Sequence, residues 1–539
     1  MNRIYLSILL VVVFRFGNAQ NWQDTVLQIE KAFERYKPAN PGAQFAIGRN
    51  GKIIFSKSWG MADLEHHVSL TTSSISEAGS VSKQFTAGAI LLLEQQGKLS
   101  LDDDVRNYVP ELPDYGDRIT LRHLIQHKSG LKDWGFIAEI AGWPRTTKTY
   151  SNADALFIIC NQKTLNHKPG EEYIYSNSNY QLLAIIVERV SGLSLAEYTR
   201  QYIFEPAGMK NTQWRDNFKR IVPNRAVAYS KSGNVYEANM PNEYVYGNGG
   251  LLTTAEDLMT WADYLSNGKF GTPSLLEKQL STSPLSNGVM HRYGAGVFTG
   301  KFRGWRYLTH PGETAGYRAY FEAYPELGLS FAWLSNTSEF GREPINDVVK
   351  VADMFVPVKE PEIEAESLPP YKLTTEKLNS YSGWYRSSRT GAGLELYLKQ
   401  EKLFAREGGP LEPIAENVFR TRDNNRVELS STGLLIINPE KDSAYFKKVD
   451  TAKLDEKTIQ EYTGEYYSGE VQVKYEVSVK DGKLLLILKP RLEYQLLPTY
   501  QDGFEIPDGV VYFEREKDKI INFRISLERA RNVEFRKIK

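Results

Sequence analysis

Residues 76 to 97, SEAGSVSKQFTAGAILLLEQQG, constrain what this chain can fold into more than any other stretch. Ala87, Ala89, Ile90, Leu91, Leu92 and Leu93 make it apolar nearly all round, as in a helix covered on every side at the centre of a domain. Gly97 is placed to end it. At its start Ser80 and Lys83 stand three residues apart, so on a helix both side chains share one face. A serine hydroxyl is a poor nucleophile until a base takes its proton, and a neutral lysine amine within reach can take it. The partial positive charge of a helix N-terminus favours an alkoxide at Ser80 and disfavours an ammonium at Lys83. For Lys83 to be neutral near pH 7 its pKa must fall from about 10.4, at a cost of roughly 4 kcal/mol supplied by desolvation or a nearby cation. Ser-x-x-Lys is a weak pattern alone, and Ser129 with Lys132 is a second copy, so context must discriminate.

With 539 residues, 41% of them hydrophobic, two or three domains with substantial cores are expected. Lysine plus arginine equals aspartate plus glutamate at 66 each, which leaves no basic field for nucleic acid. Residues 1–20, MNRIYLSILLVVVFRFGNAQ, read as a signal peptide cleaved after Ala19, hence a periplasmic or secreted protein. No other run approaches the roughly 20 apolar residues of a membrane span, so none is expected after processing. Cys160 is the single cysteine, which excludes an intramolecular disulfide. Seven histidines without His-Glu-x-x-His or paired cysteines point to no metal, and no organic cofactor is expected. The absence of Gly-x-Ser-x-Gly speaks against an α/β-hydrolase.

Along the chain, AQFAIGRNGKIIFSKSWGMAD alternates and turns at Asn50-Gly51, a hairpin signal ahead of the Ser80 helix. From Leu101 to about Leu265 the pattern is mostly helical with long loops, and strands return between Tyr293 and Thr337. Early strands, a helical middle and late strands predict one α+β domain, residues 21–355, whose sheet is built from both ends of the segment. Residues 356–370, rich in proline and glutamate, read as a linker. Beyond it Tyr381-Ser-Gly-Trp-Tyr385 recurs as Tyr462-Thr-Gly-Glu-Tyr466, and Lys402-Leu403 as Lys483-Leu484, both offset by 81 residues. Two small all-β barrels, 371–450 and 451–539, each a helical turn followed by seven or eight strands, are therefore expected. Besides a structural role, they could gate the site or form a homodimer.

Two further clusters could complete a site around Ser80. Tyr175-Ser176-Asn177 offers a phenol to shuttle a proton and an amide to bind a carbonyl. His310-Pro311-Gly312 opens a strand whose backbone N–H groups could face an acyl carbonyl. Decoys exist: Tyr150-Ser151-Asn152, Lys128-Ser129-Gly130 and Lys231-Ser232-Gly233. Ser151 or Asn152 is better read as the cap of a helix running to Cys160.

In order, Ser-x-x-Lys, Tyr-x-Asn and His-x-Gly resemble the serine β-lactamase and penicillin-binding-protein superfamily, closest to its class C β-lactamase, D-aminopeptidase and esterase branch. The resemblance covers about residues 30 to 350 and includes ITLRHLIQHKSGL, PGEEYIYSNSNYQLLAIIVERVSG, IFEPAGMKNT and GNGGLLTTAEDL. It implies a β-lactamase/transpeptidase-like domain followed by two lipocalin-like barrels. By the same resemblance Ser80 is the nucleophile, Lys83 the general base, and Tyr175 the proton relay to the leaving group. Asn177 would position substrate, His310 and Gly312 would line the site, and the N–H groups of Ser80 and Glu313 would form the oxyanion hole. Histidine in place of the usual lysine puts β-lactam hydrolysis in doubt, since neutral imidazole offers no permanent cation to a carboxylate. The expectation is an exported serine hydrolase with a small peptide, ester or lactam substrate. A peptidase or amidase on small D-amino-acid-containing or cell-wall-derived peptides comes first, a carboxylesterase or β-lactamase second. A catalytically silent ligand-binding protein is the reading from another class.

Overall fold

The computed structural model describes residues 22–145, 147–359, 371–439 and 441–539. The expected leader, 1–20, lies outside the described residues, as does 360–370 of the expected linker. At Asn50-Gly51 both residues take positive φ, 50° and 75°, which closes the tight turn between β1 (Ala43–Arg49) and β2 (Lys52–Trp59). Four later strands, β3 (Phe298–Phe302), β4 (Trp305–Thr314), β5 (Tyr317–Tyr324) and β6 (Leu329–Ser335), complete an antiparallel sheet in the order β3-β4-β5-β6-β1-β2. Early and late strands meet where β1 pairs with β6, Phe45 opposite Trp333.

Alternation sorts the side chains by face. Phe45, Ile47, Phe331 and Trp333 pack with Ile29 and Phe33 and with Val348 and Val351 of the helix Glu343–Phe355. Ala46, Ala332 and Leu334 point the other way, into a core shared with the helical block. At the centre of that core lies α1 (Lys83–Gln95), buried from Lys83 to Leu93. Alongside runs α2 (Asn177–Ser191), with Tyr180, Leu182, Leu183, Ile186 and Val187 in the same core. Ser151 caps the helix Asn152–Cys160 in a reciprocal box with Asp154.

Eight strands between Gly383 and Val449 close into a barrel, and nine between Gly464 and Lys537 form a second antiparallel unit. The ninth strand exceeds the seven or eight expected. It arises because the chain breaks at buried Leu496, whose N–H bonds to the Leu484 carbonyl at 2.9 Å, splitting Leu492–Gln495 from Leu497–Pro498. The repeat is reproduced bond for bond: Tyr385 donates to the Tyr381 carbonyl and Tyr466 to the Tyr462 carbonyl, each at 2.8 Å. The second unit docks on the helical block. Ile137 and Ile140 enter its core, and Tyr475 donates to the Ile140 carbonyl at 2.9 Å. No described helix is long and apolar enough to cross a membrane.

Candidate functional site

Ser80 sits on a 3-10 turn, Gly79–Ser82, that runs directly into α1, rather than within the α-helix expected there. The tighter winding eclipses positions i and i+3 and so still brings Ser80 and Lys83 together. Two glycines let β4 approach this turn. A Cβ at Gly79, where φ is +50°, would stand 2.5 Å from the Glu313 nitrogen. A Cβ at Gly312 would stand 2.0 Å from the Ala78 carbonyl oxygen. Only hydrogen fits at either place, and the Glu313 backbone N–H is thereby set beside the turn that carries Ser80.

Lys83 is fully buried. Its Nζ lies 3.1 Å from Ser80 Oγ, 2.9 Å from Asn177 Oδ1 and 2.6 Å from the Asn248 carbonyl oxygen. Burial holds this amine well below the usual lysine range; Asp133 opposes that, while Arg529 and Arg145 reinforce it. A neutral amine has two N–H bonds and one lone pair. The two pure acceptors, Asn177 Oδ1 and the Asn248 carbonyl, take the N–H bonds, which leaves the lone pair for the Ser80 hydroxyl proton.

The Tyr175 ring lies close to two basic side chains: Lys83 Nζ is 4.7 Å and the Arg529 guanidinium, through Cζ, 4.9 Å from its centroid. Its buried hydroxyl makes no well-formed hydrogen bond. Burial raises its pKa above the ordinary phenol value, offset in part by Ser80, so the phenol stays protonated. Asn177 opens α2. The preceding Ser176 makes no side-chain cap; instead Asp133 Oδ2 accepts the Asn177 N–H at 2.7 Å while Oδ1 accepts that of Gly135 at 2.9 Å.

His310 is buried on β4. Its Nδ1 lies 2.6 Å from the Pro311 carbonyl oxygen, which can only accept, so the proton is on Nδ1 and Nε2 accepts from Tyr293 Oη at 3.0 Å. Burial, with Lys83 second, pushes its pKa down to about 3, and the ring is neutral in ordinary buffers. Glu313 turns its carboxylate outward to Arg342.

These groups line a cavity of about 380 Å³. Ser80, Tyr175, Asn177, His310, Gly312 and Glu313 face it, with Arg145, Asn248, Arg342 and Arg529 beyond those expected from sequence. Lys83 lies behind Ser80, in the wall. Of the decoys, Lys132 is buried against Glu470 of the second barrel at 2.6 Å, Ser129 bonds Asn179, Lys128 holds Ser283, and Lys231 pairs with Glu339. Among the described residues one group of possible metal donors gathers, half-buried Asp63 with exposed Glu65 and His66, and none of the three lines the cavity.

Asn248 contributes a main-chain oxygen that no side-chain pattern announces; its segment, GNGG, was the available signal. Asp133 follows the Lys128–Lys132 decoys and carries no motif. Arg529 comes from a hairpin turn of the last barrel, where sequence holds no hint of the cleft.

A protein-family model described as Beta-lactamase matches residues 29–353. Penicillin-binding protein 4* of Bacillus subtilis (strain 168) is 30% identical over 400 residues, 69% of this chain and 86% of that protein. A D-aminopeptidase of Gluconobacter oxydans (strain 621H) is 28% identical over 52% of this chain, which spans only 53% of that enzyme's length. Among solved structures, the octameric penicillin-binding protein homologue from Pyrococcus abyssi superposes with a TM-score of 0.53 at 22% identity. That match covers 88% of this chain and 99% of the other, a likeness of fold that extends beyond the catalytic domain.

Proposed function

The chain belongs to the β-lactamase family and is a serine hydrolase of that type, and from that premise we propose that it cleaves amide bonds in small D-amino-acid-containing or cell-wall-derived peptides through an acyl-enzyme on Ser80. Neutral Lys83 takes the Ser80 proton as Oγ attacks the carbonyl carbon. The oxyanion forms between the backbone N–H groups of Ser80 and Glu313. Collapse of the intermediate expels the amine, and the Tyr175 phenol donates to it while taking the proton that Lys83 received. Water then attacks the ester carbonyl, its proton passing to Lys83 and from there to Ser80 Oγ as the ester C–O bond breaks, which releases the acid and restores both the serine hydroxyl and the neutral amine. Asn177 holds the amine in register; His310, neutral, shapes the wall without adding charge.

The single observation that carries this reading is the Lys83 amine, whose two other contacts are acceptors, leaving its lone pair 3.1 Å from Ser80 Oγ. The D-aminopeptidase and penicillin-binding-protein relatives support the substrate class. Export, with cleavage after Ala19, rests on the N-terminal apolar run and is checked by sequencing the mature N-terminus. A fluorophosphonate should label Ser80, and Ser80→Ala should abolish both labelling and turnover of N-acetyl-D-alanyl-D-alanine. Lys83→Met should lower kcat/KM by about 10²–10⁴. A Ser80 that never labels would overturn the reading. Comparing p-nitrophenyl acetate with D-alanine p-nitroanilide separates an esterase from an amidase.

A further inference from the structure

The second barrel delivers a cation into the cavity. Arg529 lies in the turn between the strands Lys519–Leu527 and Ala530–Lys537, and the turn is clamped to the catalytic domain through its backbone. The Arg529 carbonyl accepts from the Asp133 N–H and from Asn166 Nδ2, each at 3.0 Å. Asn166 Oδ1 in return accepts the Arg531 N–H at 2.8 Å. None of these bonds uses the guanidinium, which is left to face the cavity 4.9 Å from the Tyr175 ring centroid.

Charge in the cavity does not balance. Arg145 is bound to Glu243, with Nε 2.7 Å from Oε2, and Arg342 is bound to Glu313. Lys83 and His310 are neutral for the reasons given above. Asp133 stands outside the lining, and although its charge is felt at Lys83 its oxygens are turned to the Asn177 and Gly135 N–H groups rather than to an arginine fork. Arg529 pairs only loosely with neighbouring Glu528, at 3.4 Å, whose side chain is 69% exposed and screened by solvent. One arginine fork therefore faces the cavity with its charge largely unspent, and such a fork matches a carboxylate.

We propose that Arg529, presented by the second barrel, is a specificity-determining residue that binds a carboxylate on the leaving-group side of the substrate. It selects peptides ending in a free carboxylate over their amides and over substrates that carry a free ammonium there. The side follows from Tyr175, over which Arg529 lies and which serves the leaving group, so this inference rests on the hydrolase reading for its orientation. The rigid clamp means that little ordering is needed when the anion arrives.

The test separates binding from turnover. On the full chain carrying Ser80→Ala, titration calorimetry compares N-acetyl-D-alanyl-D-alanine with its C-terminal amide. The acid should bind at least tenfold more tightly, that preference should fall at least tenfold in Ser80→Ala/Arg529→Gln, and Arg529→Lys should restore part of it. No preference in the first protein, or the same preference in the Gln variant, overturns the proposal. Because the clamp is backbone, the Gln variant should keep the parent's thermal transition; the Lys variant distinguishes lost charge from lost fold. Failure of Ser80-intact protein to label or turn over would count against the hydrolase reading alone.

Discussion

In the first barrel the loop after the opening strand presents Arg389; 81 positions on, the same loop of the second barrel presents Glu470. Both reach back to the catalytic domain, with opposite charge and in different surroundings. Arg389 meets Glu172 at 3.3 Å with its side chain 30% exposed, and Glu172 keeps a second partner, Arg531, at 2.9 Å. Glu470 meets Lys132 at 2.6 Å, the two 6% and 0% exposed, and also accepts the Lys163 N–H at 3.0 Å. One framework used twice yields a replaceable surface tie and a buried lock. The lock holds the segment that continues into Asp133, and thus the N-terminus of α2 and the place where Arg529 docks.

The comparison breaks first at the lock. Glu470→Ala leaves the Lys132 ammonium buried without its carboxylate and should cost about 3–5 kcal/mol in denaturant unfolding. Arg389→Ala, at a part-exposed pair with a substitute partner, should cost under about 1 kcal/mol in the same experiment. Equal costs would mean that the two loops dock alike. The finest distinction lies in the pH profile of kcat/KM, whose acid limb reports the base of the free enzyme. Lys83 works as the neutral amine, so activity falls as pH drops through its lowered pKa. Arg529 helps to lower that pKa; Arg529→Gln should therefore raise it and move the limb to higher pH. Arg389→Gln should leave the limb where it is, because that charge is paired with Glu172 and part-exposed to screening solvent.

Much of the catalytic domain was legible in the sequence, because its signals are local. Alternating strands, a turn at Asn50-Gly51 and an apolar run after Lys83 each depend on residues within one or two turns of chain. Ser80, Lys83, Tyr175, Asn177 and His310 were legible because each sits in a short pattern of a few residues, although His310, expected to open a strand, lies in the middle of β4 because the pairing with β5 begins upstream, at Leu308. Arg529 was not, since a polar hairpin turn reads alike whether it meets solvent or a cleft. Nor was the bond from the Asn248 carbonyl, which any residue type could supply. The expected α-helical start at Ser80 proved to be a 3-10 turn, packed against β4 through Gly79 on the turn and Gly312 on the strand at distances that spacing cannot reveal.

The two Ser-x-x-Lys copies draw the line between sequence and fold. By itself the chain determined that Ser80 lies beside Lys83, because winding about a helix axis is set by neighbours a few residues away. It also determined that a unit recurs 81 residues on, since matching letters build matching bonds. Only the tertiary structure decided which lysine could act as a base. Lys83 and Lys132 are both cut off from water, but one meets amide and carbonyl oxygens while the other meets the carboxylate of Glu470. Burial and distant charge set an amine's proton affinity, and both come from segments far away in the chain.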